Sequence, residues 1–242
     1  MNEIGMEAFD YNLPEERIAQ FPLEERSDSK LVCFRNGDIT DTTFNELPNF
    51  LPEGCRVIFN NTKVINARIF MRRSTGAKIQ LFLLNPISPA EMETAMQAKE
   101  STAWKVMVGG GKRWKIGESL SLSFAEITLE AERINIIDET SEVRFKWSGA
   151  SSFADVLDHL GNIPLPPYMK REVEESDFFR YQTTYADVVG SVAAPTAGLH
   201  FNEEVMNQLL CKQIKRSTVT LHIGAGTFKP VSSNDFRTHK MH

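Results

Sequence analysis

AKIQLFLL (77–84), AWKVMV (103–108), ESLSLSF (118–124), ITLEA (127–131), INIID (134–138) and EVRFKW (142–147) follow one another with short turns between most of them. Apolar and polar residues partly alternate with a period of two, as in strands with one buried face. No helical period separates these runs. The segment 67–147 is therefore expected to form six or so close-set antiparallel strands, in a small barrel or sandwich. Glu91 to Ser101 is the expected irregular excursion.

The flanks read differently. LPEERIAQ (13–20) places Pro14 at a helix start, acids in the first turn and Ile18 on one face, which predicts a helix. KLVCF (30–34) and RVIFN (56–60) are β-rich, and the turn dipeptide Asn36-Gly37 follows the first. In SSFADVLDHLG (151–161), Ser152 and Asp155 fit a capping box and Gly161 a helix stop. NIPLPPYMKR (162–171) must run extended, because Pro164, Pro166 and Pro167 forbid a helix. NEEVMNQLLCK (202–212) predicts a helix capped by Asn202, and STVTLHIG (217–224) a strand. The simplest architecture is an α/β (α+β) domain made of 1–66 and 148–242, interrupted by the all-β insert 67–147.

The 242 residues, 41% hydrophobic and 24% charged, have the balance of an ordinary soluble globular protein. No apolar run reaches the roughly 18–20 residues of a membrane helix, and the acidic N-terminus lacks a signal-peptide pattern. Cys33, Cys55 and Cys211 are widely spaced, without CxxC, and read as reduced thiols. A cytoplasmic location is expected. The net charge of −5 argues against bulk-charge binding of nucleic acid. The central segment is nonetheless the least acidic, and GGGKRWK (109–115) places three cations around Trp114. That cluster is either a solvated hairpin turn or a phosphate-contacting loop with a stacking ring.

Chemistry concentrates toward the C-terminal end. His200, His222, His239 and His242 lie within the final 43 residues, and imidazole titrates near neutrality and binds metals. His239-x-x-His242 is only a pair, with no carboxylate companion, so no metal site is expected. HIGAGTF (222–228) lacks the helix that a dinucleotide turn needs, since Phe228 and Pro230 close it off. What remains is bare backbone beside histidine in two places, SVAAPTAGLHF (191–201) and LHIGAGTF (221–228). Glycine admits close approach of a ligand to the main chain, and the 203–212 helix offers N–H donors nearby. Each loop alone is equally open to a purely structural role. Tyr168 and Tyr181, with Gln182 and Thr183, are suited to stacking on a purine and bonding its edge.

These elements, in order, resemble one family. FDYNLPEERIAQFP (9–22), FNNTKVINARI (59–69), IPLPPYMKR (163–171), RYQTTYA (180–186), GSVAAPTAGLHF (190–201), TLHIGAGTFKPV (220–231) and HKMH (239–242) are similar to the S-adenosylmethionine:tRNA ribosyltransferase-isomerases of queuosine biosynthesis. The resemblance implies a barrel-like α/β catalytic domain with an inserted small antiparallel β-barrel. It implies transfer and isomerisation of the ribosyl part of S-adenosylmethionine onto 7-aminomethyl-7-deazaguanine at the tRNA wobble position. Epoxyqueuosine forms, adenine and methionine leave, and no metal is required. A monomer is expected. A non-catalytic tRNA- or nucleoside-binding paralogue is the alternative.

On this resemblance His200 and His222 are the expected catalytic residues, both titrating near pH 7. Asn60, Thr62, Arg68, Lys170, Arg171, Tyr181, Gln182 and Thr183 are expected to bind substrate. So are Pro195, Thr196, Gly198, Gly224, Gly226, Thr227, His239 and His242. Lys170 and Arg171 would meet tRNA phosphate or the methionine carboxylate. The chain departs from the family pattern at Asn61, Lys63 and Gln80, where an aspartate, an arginine and a glutamate are usual. It also stops at Met241-His242, inside a motif that normally continues.

Overall fold

A computed structural model describes residues 5–111, 114–228, 231 and 236–238. His239 and His242, and Lys112 and Arg113 of the basic loop, lie outside the described residues.

The chain opens with isolated 3-10 turns, among them Glu15–Arg17. The helix expected over 13–20 is absent: Ile18 is already extended (φ −96°, ψ 104°), and no residue of the turn is buried to anchor further turns. β1 (Lys30–Arg35) and β2 (Asp38–Thr43) form a hairpin around Asn36 and Gly37, both at positive φ. α1 (Leu47–Phe50) leads into β3 (Arg56–Asn60) and β4 (Thr62–Val64).

The expected β-rich segment then follows: β5 (Arg68–Arg72), β6 (Lys78–Ser88), β7 (Ser101–Gly109), β8 (Ser119–Phe124), β9 (Ile127–Ile137) and β10 (Thr140–Ser148). ITLEA and INIID are one strand, β9, rather than two. A single-turn helix, α2 (Met92–Met96), occupies the predicted excursion. α3 (Phe153–Leu160) is capped by Ser152, whose side chain accepts from the Asp155 N–H, and ends at Gly161. β11 (Gly161–Asn162) joins the sheet beside β5.

The result is one seven-stranded antiparallel sheet, in the order β11-β5-β6-β7-β10-β9-β8. It curls until β5 and β8 touch, but no ladder of hydrogen bonds joins them among the described residues. The sheet is thus a curled half-barrel rather than a closed one. Its concave face buries Ile69, Ile79, Leu81, Leu83, Trp104, Val106, Leu129, Val143 and Phe145. α3 plugs one end: the buried Phe153 ring lies 5.6 Å from Trp104, 5.4 Å from Phe145 and 5.3 Å from Trp147. Burying a phenylalanine in this way is worth about 1.5–3 kcal/mol.

Trp114 also belongs to this core. It is 1% exposed, donates Nε1–H to Glu118 O at 2.9 Å and lies under Arg133. A ring so enclosed cannot stack on a nucleic-acid base, which overturns the stacking-loop reading of 109–115.

The remainder is mixed α/β. α4 (Asp177–Arg180) and β12 (Val188–Ser191) follow the proline segment, and β12 lies parallel to β4. α5 (Glu203–Cys211) is capped by Asn202, whose Oδ1 accepts from Val205 N at 3.0 Å. β13 (Lys215–Val219) then runs parallel to β3. The predicted 217–224 strand stops at Val219; Leu221 is held instead by the Asn60 side chain and Ile223 by Ser191. Phe44, Phe59, Phe201, Val205, Leu209 and Ile214 form a second core under α5.

Candidate active site

Ser191 ends β12, and its hydroxyl donates to Ala193 O at 2.9 Å while accepting from Ile223 N at 2.8 Å. Val192 N donates to Ile223 O at 3.0 Å. These bonds bring the two side-chain-poor loops together, and the bareness of both allows it. Between them and the proline segment lies a cleft of about 430 Å³, lined by Tyr168, Tyr181, Pro195, Thr196, Ile223 and Phe228 among others. Thr227 lines it too. Its size falls in the usual ligand-site range of roughly 300–1,000 Å³.

A second cleft of about 330 Å³ adjoins it, with Phe228 as a common wall; Pro166 lines the first and Pro167 the second. Arg68, Gln80, Phe82 and Ala225 complete much of the second. Phe228 and Phe82 stand 6.0 Å apart, tilted by 44°. Sequence reasoning gave neither phenylalanine a role. A lone aromatic carries no motif, and only the curl of the sheet sets Phe82 opposite the 225–228 turn.

The two histidines have separate surroundings, and neither is among the residues lining these two clefts. His222 is exposed, and its Nδ1 is 2.8 Å from the Oγ1 of the wholly buried Thr62. Its ring sits against Gly190: a Cβ added there would lie 2.7 Å from His222 Cε1. Desolvation lowers its pKa, which favours the neutral ring. His200 is half-buried, with Nδ1 2.9 Å from Ser29 Oγ and its ring centroid 5.2 Å from that of Phe44. Desolvation lowers its pKa too, the Arg26 charge adding to the effect and the Arg26 backbone opposing it.

Several other expected binding residues are engaged in holding the scaffold. Asn60 uses both ends of its amide on Leu221, with Nδ2 donating to the carbonyl at 2.9 Å and Oδ1 accepting from the N–H at 3.0 Å. Gln182 does the same to Val64, accepting from N at 2.9 Å and donating to O at 2.7 Å. Arg171 grips Asp177 through two bonds of 2.6 and 2.7 Å, donates to Gln20 O at 2.7 Å and stacks on Phe21. Lys170 pairs with Glu15. Tyr181 is buried at the cleft wall, and burial pushes its hydroxyl up to about 12, partly offset by the Ala194 backbone. The Thr183 hydroxyl is buried without a partner among the described residues.

Gly198 is bare for an internal reason. A Cβ there would lie 2.2 Å from Tyr185 Oη, so the glycine makes room for a tyrosine rather than a ligand. Gly224 is exposed and Gly226 half-buried on the turn that precedes Phe228. Among the described residues no group of three or more His, Cys, Asp or Glu is placed to hold a metal ion. No helix among them is long and apolar enough to cross a membrane.

The Queuosine biosynthesis protein family model matches residues 6–242. A protein of Natranaerobius thermophilus named S-adenosylmethionine:tRNA ribosyltransferase-isomerase is 42% identical over 241 residues, covering 98% of this chain and 65% of its own length. Proteins of the same name from Francisella tularensis subsp. mediasiatica and Staphylococcus haemolyticus are 40% and 39% identical, covering 97% and 99% of the chain. They are matched over 64% and 66% of their own lengths, so the chain spans about two thirds of these relatives. A crystal structure of S-adenosylmethionine tRNA ribosyltransferase from Thermotoga maritima aligns with 89% of this chain and 58% of its own, at 25% identity and a TM-score of 0.33. With 237 consecutive residues matched by one family model and near-complete coverage by these relatives, the chain belongs to the Queuosine biosynthesis protein family.

Proposed function

We propose that this chain carries the transfer and isomerisation of the ribosyl moiety of S-adenosylmethionine onto 7-aminomethyl-7-deazaguanine at the tRNA wobble position. Epoxyqueuosine-tRNA is the product, and adenine and methionine leave. The reading rests on family membership and on one observation: the Ala193–Ala197 and Ile223–Phe228 loops meet the proline–tyrosine segment around a ligand-sized cleft. S-adenosylmethionine acts as ribosyl donor rather than as a resident cofactor, with no metal, in a cytoplasmic, monomeric enzyme. Residues 67–147 act as an inserted β-barrel-like unit within the discontinuous domain 1–66 and 148–242.

Tyr168, 53% exposed at the cleft, offers a face on which a purine stacks. The sulfonium acidifies the adjacent 5′ carbon, so a neutral base within reach can take its proton and adenine can then depart as the protonated base. His222 suits that role better than His200. It is exposed and directly precedes the cleft-lining Ile223, and in the tautomer whose Nδ1–H donates to Thr62 its Nε2 keeps a lone pair. His200, enclosed by Ser29, Phe44 and Arg26, holds the loop from behind. The aminomethyl nucleophile needs positioning more than activation.

The test is incubation with S-adenosylmethionine and precursor tRNA, following free adenine. Adenine release that requires both substrates, reduced roughly 100-fold or more in folded His222→Gln, is the expected result. A tRNA gel shift without adenine would instead identify a non-catalytic binder. Full turnover in His222→Gln would remove the histidine assignment.

A further inference from the structure

Among the arginines that the fold draws inward, one differs from the rest. Arg133 donates to Ser141 Oγ, Gly111 O and Trp114 O. Arg26 reaches Phe179 O, Arg180 O and Leu199 O; Arg180 reaches Leu23 O and Glu24 O; and Arg171 takes Asp177. The Nε of Arg68 is buried without a partner among the described residues. Its guanidinium carbon stands 5.8 Å from the centre of the Phe82 ring. Burial lowers its pKa. A guanidinium half removed from water, with its Nε buried and unpaired, is costly unless something else supplies acceptors.

Position explains where those acceptors come from. Arg68 begins β5 directly across from Phe82 of β6, and both line the second cleft with Gln80, Met107, Ala225 and Phe228. Gln80, on the neighbouring strand β6, is neutral. Glu139 also lines the cleft, so both signs of charge face it. The apolar walls suit a short unbranched chain or a thioether-like sulfur, and Phe228 joins this cleft to the one beside Tyr168. A ligand with a nucleoside at one end and an amino acid at the other fits two such compartments in sequence.

We propose that Arg68 is the carboxylate-binding residue of the site, holding the α-carboxylate of the amino-acid end of the substrate between Phe82 and Phe228. The assignment rests on the reading of S-adenosylmethionine as substrate, and it replaces Lys170 and Arg171, which Glu15 and Asp177 already occupy.

The experiment measures binding of S-adenosylmethionine and of its decarboxylated analogue to wild-type and Arg68→Met chains by calorimetry. Methionine keeps the stem beside Phe82 and removes only the guanidinium, and thermal unfolding reports whether the variant folds. The wild-type chain should prefer the carboxylate-bearing ligand by roughly 10–100-fold. Arg68→Met should bind it weaker by a similar factor and lose the preference, leaving affinity for the analogue unchanged. A folded Arg68→Met that still discriminates, or a wild-type chain that never does, overturns the assignment while the proposed function stands. Failure of the wild-type chain to bind either ligand overturns both.

Discussion

Replacing Gly198 with alanine tests why the loop is bare. The added Cβ would lie 2.2 Å from Tyr185 Oη, 2.9 Å from Thr183 Cγ2 and 3.3 Å from Tyr185 Cζ. Carbon contacts are optimal near roughly 3.5–4.0 Å, so the hydroxyl oxygen overlaps the new methyl by about 1 Å or more. Tyr185 has little room to retreat, because its ring is packed edge-on against Phe59 at 4.8 Å and Phe201 at 6.3 Å. Overpacking of this kind costs about 1–3 kcal/mol. In a chain of this size that lowers Tm by roughly 2–4 °C per kcal/mol. Tyr185→Phe removes the atom at 2.2 Å and leaves the nearest contact at 2.9 Å, so much of the strain should vanish. Urea unfolding of the two single variants and the double variant closes the cycle. The expected coupling is about 1 kcal/mol in favour of the double variant. Additivity within about 0.3–0.5 kcal/mol, or a neutral Gly198→Ala, would refute the claim that this glycine serves the tyrosine.

Further outcomes follow from the ionisable groups that the fold draws inward. Asp177→Ala strands the Arg171 guanidinium and should destabilise the fold by about 3–5 kcal/mol, measured by denaturant titration, with Arg171→Met/Asp177→Leu costing much less. His200 has a folded-state pKa below its ordinary 6.5, so the unfolded chain binds more protons in that window. Stability should therefore be fully present above about pH 6.5 and fall as pH drops through the lowered value, and thermal scans of His200→Gln should show a shallower decline. Asp177, held down mainly by Arg171, contributes stability that is lost only at still lower pH, below its ordinary 3.8.

Local chemistry was readable residue by residue. Ser152 and Asn202 cap the helices they were expected to cap, because a cap is decided by one side chain and the N–H groups two or three residues on. The alternation in AWKVMV and EVRFKW became β7 and β10, since a period of two leaves a strand one apolar face to bury. The LPEERIAQ helix failed because its start signals were local and nothing buries its apolar face.

The sequence by itself determined that the centre of the chain would be an antiparallel sheet, and it marked the two bare loops that the fold brings together. It could not show which polar side chains would remain available. Asn60, Gln182 and Arg171 look like ligand-binding residues in one dimension. In three dimensions their bonding capacity is spent on Leu221, Val64 and Asp177. Arg68, expected from its motif to bind substrate like the other three, keeps a buried Nε without a partner among the described residues, beside a cleft. Partners far apart in sequence decide which donors are satisfied, and only the tertiary structure brings those partners into place.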